Sequence, residues 1–169
     1  MAKITLQGNE MRTNGSLPNV GSSAPDFALV NKDLENVSLS AFPGKRKILS
    51  IVPSLDTPVC AISTKKFDDF AKEHDDTAIL IISADLPFAM SRFCVSENLE
   101  HVTSLSIMRS QEFSRDYGVL IEDGPLAGIT ARAIVVLDQK NQVVHTELVG
   151  EIAHEPDYKA AIQALGSVS

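Results

Sequence analysis

In PSLDTPVC, residues 53–60, a thiol stands between a strand-forming run, KILSIV, and a charged, helix-like segment, AISTKKFDDFAKEHDD. Cysteine acts as a nucleophile and redox centre through its thiolate, so its surroundings decide whether it reacts. Thr57 is a good helix N-cap, because its hydroxyl accepts from a free amide of the first turn. Pro58 suits the first helical position, where a missing N–H costs nothing. This register makes Cys60 the third helical residue. Free amides and the positive end of the helix dipole favour a thiolate there. A lone cysteine is also commonly a small, inert core residue, and position alone leaves the two readings level.

The rest of the composition narrows the chemistry. The chain has 169 residues, 44% of them hydrophobic, which is enough for one domain with a sizeable core. Its net charge is −7 and its densest basic run is KRK at 45–47, which argues against nucleic acid or an anionic membrane surface as partner. No apolar run approaches the ~20 residues that span a bilayer. MAKITLQGNE lacks the apolar centre of a secretory signal, so the expected location is the cytoplasm. There are two cysteines, too few for a disulfide scaffold, and no CxxC. His74, His101, His145 and His154 are scattered and share no ligand spacing with either cysteine, so no metal is expected.

The elements that must hold Cys60 follow from periodicity. Asn14-Gly15 is a hairpin signal within an N-terminal extension over 1–20, since both residues tolerate positive φ. DFALVNKD and NVSLSAF read as two short strands around a polar turn. Residues 47–52 form a buried strand candidate, and 58–74 a helix with Phe67, Phe70 and Ala71 on one face. TAILIISA at 77–84 is nearly continuous and apolar, as a strand covered on both faces must be. Pro87 opens a helix over 87–98 that lines up Met90, Phe93 and Cys94. A short strand near 105–108 leads to a helix over 111–117, ended by Gly118. ARAIVVLD and QVVHTELV pair around QKN, and a last helix over 155–165 begins at Pro156. Alternation of this kind predicts an α/β fold, a central mixed β-sheet flanked by helices, in a single domain over 1–169.

The spacing Pro53-x3-Thr57-x2-Cys60 resembles the peroxidatic motif of the peroxiredoxins. PSLDTPVC, ISADLPFAMSRFC and DGPLAGITARAIVVLD, in that order, are similar to the thiol peroxidases, the atypical two-cysteine branch of that family. GSSAPDF near the start and EPDYKAAIQAL at the end extend the likeness, and the N-terminal hairpin suits it. The resemblance implies a thioredoxin-like fold. It also implies a peroxidase for hydrogen peroxide and organic hydroperoxides. Cys60 would be the peroxidatic thiolate that becomes a sulfenic acid. Thr57 would hold peroxide and thiolate, Pro53 would shield the pocket, and Arg132 would supply fixed positive charge. Cys94 would resolve the sulfenic acid into a Cys60–Cys94 disulfide, with thioredoxin as the reductant. A homodimer is implied too, and no cofactor, because sulfur carries the redox change.

Arg132 also carries a signal of its own. It precedes AIVVL, and a permanent charge at the end of a buried strand needs either water or an anion. The resemblance selects the thiolate as that anion. Without the resemblance Cys94 reads as a core residue beside Phe93 and Met90. Phe88 and Met90 together form a candidate apolar rim that would favour organic peroxides. The chief alternative, a general thiol–disulfide oxidoreductase, is disfavoured by the missing CxxC. A redox sensor is a further alternative.

Overall fold

The computed structural model describes residues 2–166. Two strands, β1 (Lys3–Leu6) and β2 (Asn9–Arg12), form an antiparallel hairpin apart from the main sheet. The main sheet contains β3 (Leu29–Val30), β4 (Asn36–Val37), β5 (Arg46–Ile51), β6 (Thr77–Ser83), β7 (Thr103–Ser106), β8 (Ala133–Leu137) and β9 (Val143–Leu148). Helices α1 (Pro58–Lys72), α2 (Pro87–Ser96), α3 (Gln111–Asp116) and α4 (Tyr158–Gly166) connect or follow them. The strand order is β4-β3-β7-β6-β5-β8-β9. β5, β6 and β7 run parallel, as strands joined by helical crossovers do, and the remaining pairs are antiparallel. The expected mixed α/β sheet and its N-terminal hairpin are both present.

Strand alternation divides the core into two layers. Ile48, Val52, Ile134 and Val136 face a layer shared with Cys60, Phe67, Met90, Ala161 and Leu165, from α1, α2 and α4. Leu49, Ile51, Ala133 and Val135 face the opposite layer, with Phe113 of α3 and Ile4 and Met11 of the hairpin. Phe67 is fully buried in the first layer, worth about 1.5–3 kcal/mol relative to exposure. The parity of β8 matters for the site. Even-numbered side chains face α1, so Arg132, one residue before the strand, points to the layer that contains Cys60. The β8–β9 ladder holds regular register from Ala133 to Val136 and then shifts, leaving Val144 as an extra residue.

Several boundaries differ from the sequence expectation. The hairpin turns at Gln7-Gly8, whose φ values are 51° and 83°, and not at Asn14-Gly15. Asn14 lies beyond β2 and uses its side chain to accept from the Leu120 amide and donate to the Arg115 carbonyl. The two strands expected over 26–33 and 36–42 shrink to two residues each. Side chains take over the local amides there: Asp26 accepts from Phe27 and Leu39, and Asn31 from Asp33 and Glu35. β7 lies two residues earlier than expected. The last helix begins at Tyr158, because Asp157 and not Pro156 fills the capping position, with its carboxylate accepting from the Ala160 amide at 3.0 Å.

Candidate active site

The loop from β5 into α1 brings Pro53, Thr57 and Cys60 together. Thr57 has extended backbone (φ −104°, ψ 147°) and Pro58 occupies the first helical turn. The Ala61 amide makes the first helical bond, to the Thr57 carbonyl at 3.1 Å, so the Val59 and Cys60 amides precede it. The Thr57 hydroxyl does not cap the helix, contrary to expectation. It donates to the Ser54 carbonyl at 3.1 Å. A hydroxyl used in this way keeps its acceptor lone pairs. Pro53 is buried and Cys60 is fully buried.

Arg132 reaches Cys60 from the sheet. Its Nη1 donates to Cys60 Sγ at 2.9 Å and its Nε donates to the Ile152 carbonyl at 2.8 Å. With 2% of its surface exposed, the guanidinium does not reach bulk water. The solvent-facing reading of Arg132 is thereby excluded. A fully desolvated guanidinium beside sulfur stabilises negative charge on that sulfur far more than an exposed one.

Residues the sequence reading passed over hold this arrangement. Asp85, between β6 and α2, accepts from the Ser54 hydroxyl, the Leu55 amide and the Ser83 hydroxyl, each at 2.8 Å. It ties the PSLDT loop to the sheet next to the start of α2. Ser63 and Thr64, one turn beyond Cys60, donate to the Val59 and Cys60 carbonyls at 2.8 and 2.7 Å. Ser63 also pairs with the Tyr158 hydroxyl at 2.9 Å, joining α4 to α1. Burial is the main cause that pushes the Tyr158 hydroxyl up to about 12. In sequence only Asp85 left a trace, as an acid between a strand and a helix, and nothing there named its partners.

A cleft of about 510 Å³ runs beside the α1 entrance, lined by Leu55, Thr57, Pro58, Ala61, Ala89 and Phe93 among others. Met90 is not part of a rim; it is buried in the core with 1% exposure, while Phe88 is largely exposed. The α2 face read from sequence therefore divides, with Met90 inward and Cys94 half-buried. Cys94 lines a different cleft of about 580 Å³, with Lys32, Val102 and Ser104 among its walls, and Cys60 is not in that wall. Both cysteines are free thiols, with no disulfide between them. Burial pushes the Cys94 thiol up and Asp68 adds to this, while the Ser104 hydroxyl and Lys32 oppose it. Among the described residues no group of three or more His, Cys, Asp or Glu side chains is placed to hold a metal ion, and no helix is long and apolar enough to cross a membrane.

A buried thiol at the first turn of a helix, faced by a buried arginine from a mixed sheet, defines a thiol-based redox enzyme. The chain belongs to the redoxin family, whose model matches residues 19–162. It is 52% identical over 167 residues to a thiol peroxidase of Mycobacterium bovis, covering 99% of this chain and 100% of that one. It is 48% identical over 165 residues to a thiol peroxidase of Corynebacterium glutamicum, covering 98% and 99%. The crystal structure of a peroxiredoxin-like protein from Aquifex aeolicus superposes with a TM-score of 0.92 at 36% identity, covering 99% of this chain and 97% of that one. The thioredoxin-like fold and the enzyme class, thiol peroxidase, a peroxiredoxin activity, follow from this agreement along nearly the whole chain.

Proposed function

We propose that the enzyme reduces hydroperoxides through Cys60 and restores it through Cys94. The observation that carries this reading is the 2.9 Å contact between Arg132 Nη1 and Cys60 Sγ in a site closed to bulk water. The Cys60 thiolate attacks the terminal peroxide oxygen. An S–O bond forms, the O–O bond breaks, and the departing alkoxide or hydroxide takes a proton to leave as alcohol or water. Sulfur is oxidised to the sulfenic acid. Arg132 stabilises the anionic sulfur and the charge that shifts to oxygen in the transition state. Thr57, whose hydroxyl donates to Ser54, accepts the peroxide proton-bearing oxygen's hydrogen bond and orients it. Pro53 keeps water from the sulfur.

Cys94 then attacks the sulfenic sulfur, releases water and closes a Cys60–Cys94 disulfide. A dithiol partner of the thioredoxin kind reduces that disulfide and is itself oxidised. The test is peroxide consumption with a thioredoxin-based reducing system. Cys60→Ser should abolish turnover, because a hydroxyl is not ionised at neutral pH. Cys94→Ser should permit one oxidation and then stall, with Cys60 advancing to sulfinic acid. Sustained turnover by the first variant overturns the peroxidatic assignment. Sustained thioredoxin-driven turnover by the second overturns the resolving one.

A further inference from the structure

The hairpin lies outside the main sheet, yet it connects to the reacting sulfur through a short series of hydrogen bonds. Thr5 of β1 runs parallel to Glu151, its amide donating to the Gly150 carbonyl at 2.7 Å and its carbonyl accepting from the Ile152 amide at 2.9 Å. The Glu151 carboxylate accepts from the Gln7 amide at 2.8 Å, the Gly8 amide at 3.2 Å and the Thr5 hydroxyl. Those are the hairpin turn residues and the strand that feeds them. Glu151 therefore fastens the hairpin to the segment after β9. The next residue, Ile152, supplies the carbonyl that accepts from Arg132 Nε.

A guanidinium is rigid and planar, so the acceptor at Nε fixes where Nη1 points. Ile152 is buried and Arg132 is 2% exposed, so no solvent replaces that acceptor if it moves. A desolvated donor without a partner is costly, and the side chain would turn toward another acceptor. We propose that Glu151 is a positioning residue of the peroxidase reaction: by locking the hairpin turn onto the 150–152 segment it holds the Ile152 carbonyl, and through it aims Arg132 at Cys60. This rests on the reading of Arg132 as the group that activates Cys60.

The measurement is the single-turnover rate of Cys60 oxidation by hydrogen peroxide in the full chain, followed by quenching and thiol counting. Glu151→Ala should slow oxidation on the order of 10-fold, less than loss of the guanidinium itself. Glu151→Gln, which keeps one carbonyl oxygen for the turn, should fall between Glu151→Ala and the parent. Thr5→Val should slow oxidation and Thr5→Ser should restore it, which keeps the test available if Glu151→Ala folds poorly. Lys3→Met breaks the exposed Lys3–Glu10 pair on the same hairpin and should leave the rate unchanged. Parent-like rates in Glu151→Ala and Thr5→Val, with a slow Arg132→Ala, overturn the proposal alone. Deficits that merely track a lower melting temperature, with Thr5→Ser no faster than Thr5→Val, also overturn it. A parent-like Arg132→Ala removes the reading beneath it instead.

Discussion

Replacing Arg132 by alanine should slow oxidation of Cys60 by about 100- to 1000-fold, or ~2.7–4 kcal/mol of transition-state stabilisation. The structure sets this magnitude. Arg132 places one donor on the sulfur at 2.9 Å, and burial leaves no water to replace it. Arg132→Lys refines the test. A lysine offers one charged head on a flexible stem, so it can serve Cys60 or the Ile152 carbonyl but not both in the fixed geometry of the guanidinium. Its rate should lie between those of the parent and Arg132→Ala. The assay is stopped-flow or rapid-quench oxidation of the reduced protein by a single equivalent of peroxide, which isolates the first step from resolution and reduction. A rate within about 3-fold of the parent at neutral pH, well below the loss expected for a single transition-state donor, refutes the reasoning.

Asp85→Ala should release the PSLDT loop by removing the common acceptor of Ser54, Leu55 and Ser83. The expected cost is about 1–3 kcal/mol in stability, with slower oxidation; unchanged denaturant midpoint and rate would show the loop is held elsewhere. Glu151 should add an acid-dependent contribution. The Thr5 hydroxyl and the turn amides hold its carboxyl well below 4.5, at about 2. A depressed carboxyl contributes stability that is present above 4.5 and is lost as the pH falls toward 2. Glu151→Gln should therefore flatten the acid limb of the unfolding curve in that window, and an identical limb in both proteins would contradict it. Hydrogen exchange should rise around 57–63 or 88–97 on oxidation while β6 stays protected, because a disulfide needs Cα atoms within roughly 7 Å and Cys94 lines a cleft apart from Cys60. Equal exchange in reduced and oxidised protein would exclude local opening.

What was legible in the sequence was local or periodic. Pro58 and the charged segment after it announce α1, so the place of Cys60 at its third residue could be read directly. TAILIISA and AIVVL are apolar on both faces, and they lie inside the sheet. The contacts that tie the site together are of another kind. Arg132 meets Cys60 only because β8 pairs with β5 in a particular register. Its second partner is a backbone carbonyl, an atom every residue carries and no letter distinguishes. Asp85 gathers two hydroxyls and an amide from separate segments. The hairpin shows the same limit: Asn14-Gly15 is the better turn by local preference, yet a carboxylate far along the chain, Glu151, holds Gln7-Gly8 in that role. Thr57 has the residue type of a cap, yet its hydroxyl turns back to the Ser54 carbonyl.

The extra residue at Val144 bears on which parts of this enzyme can change length during evolution. Because side chains alternate along β8, a residue inserted between Arg132 and Ala133 would carry Arg132 to the opposite face of the sheet and away from sulfur. The junction between Arg132 and the first paired residue of β8 is thus closed to a single-residue insertion. At the other end, the ladder already steps by one residue between Val136 and Leu137. Length changes in the turn at 138–142 can be absorbed at that step before they reach the regular pairs from Ala133 to Val136. Related chains should accumulate insertions at the tip of this hairpin and conserve length at its base, so that one strand carries both a variable end and an invariant one.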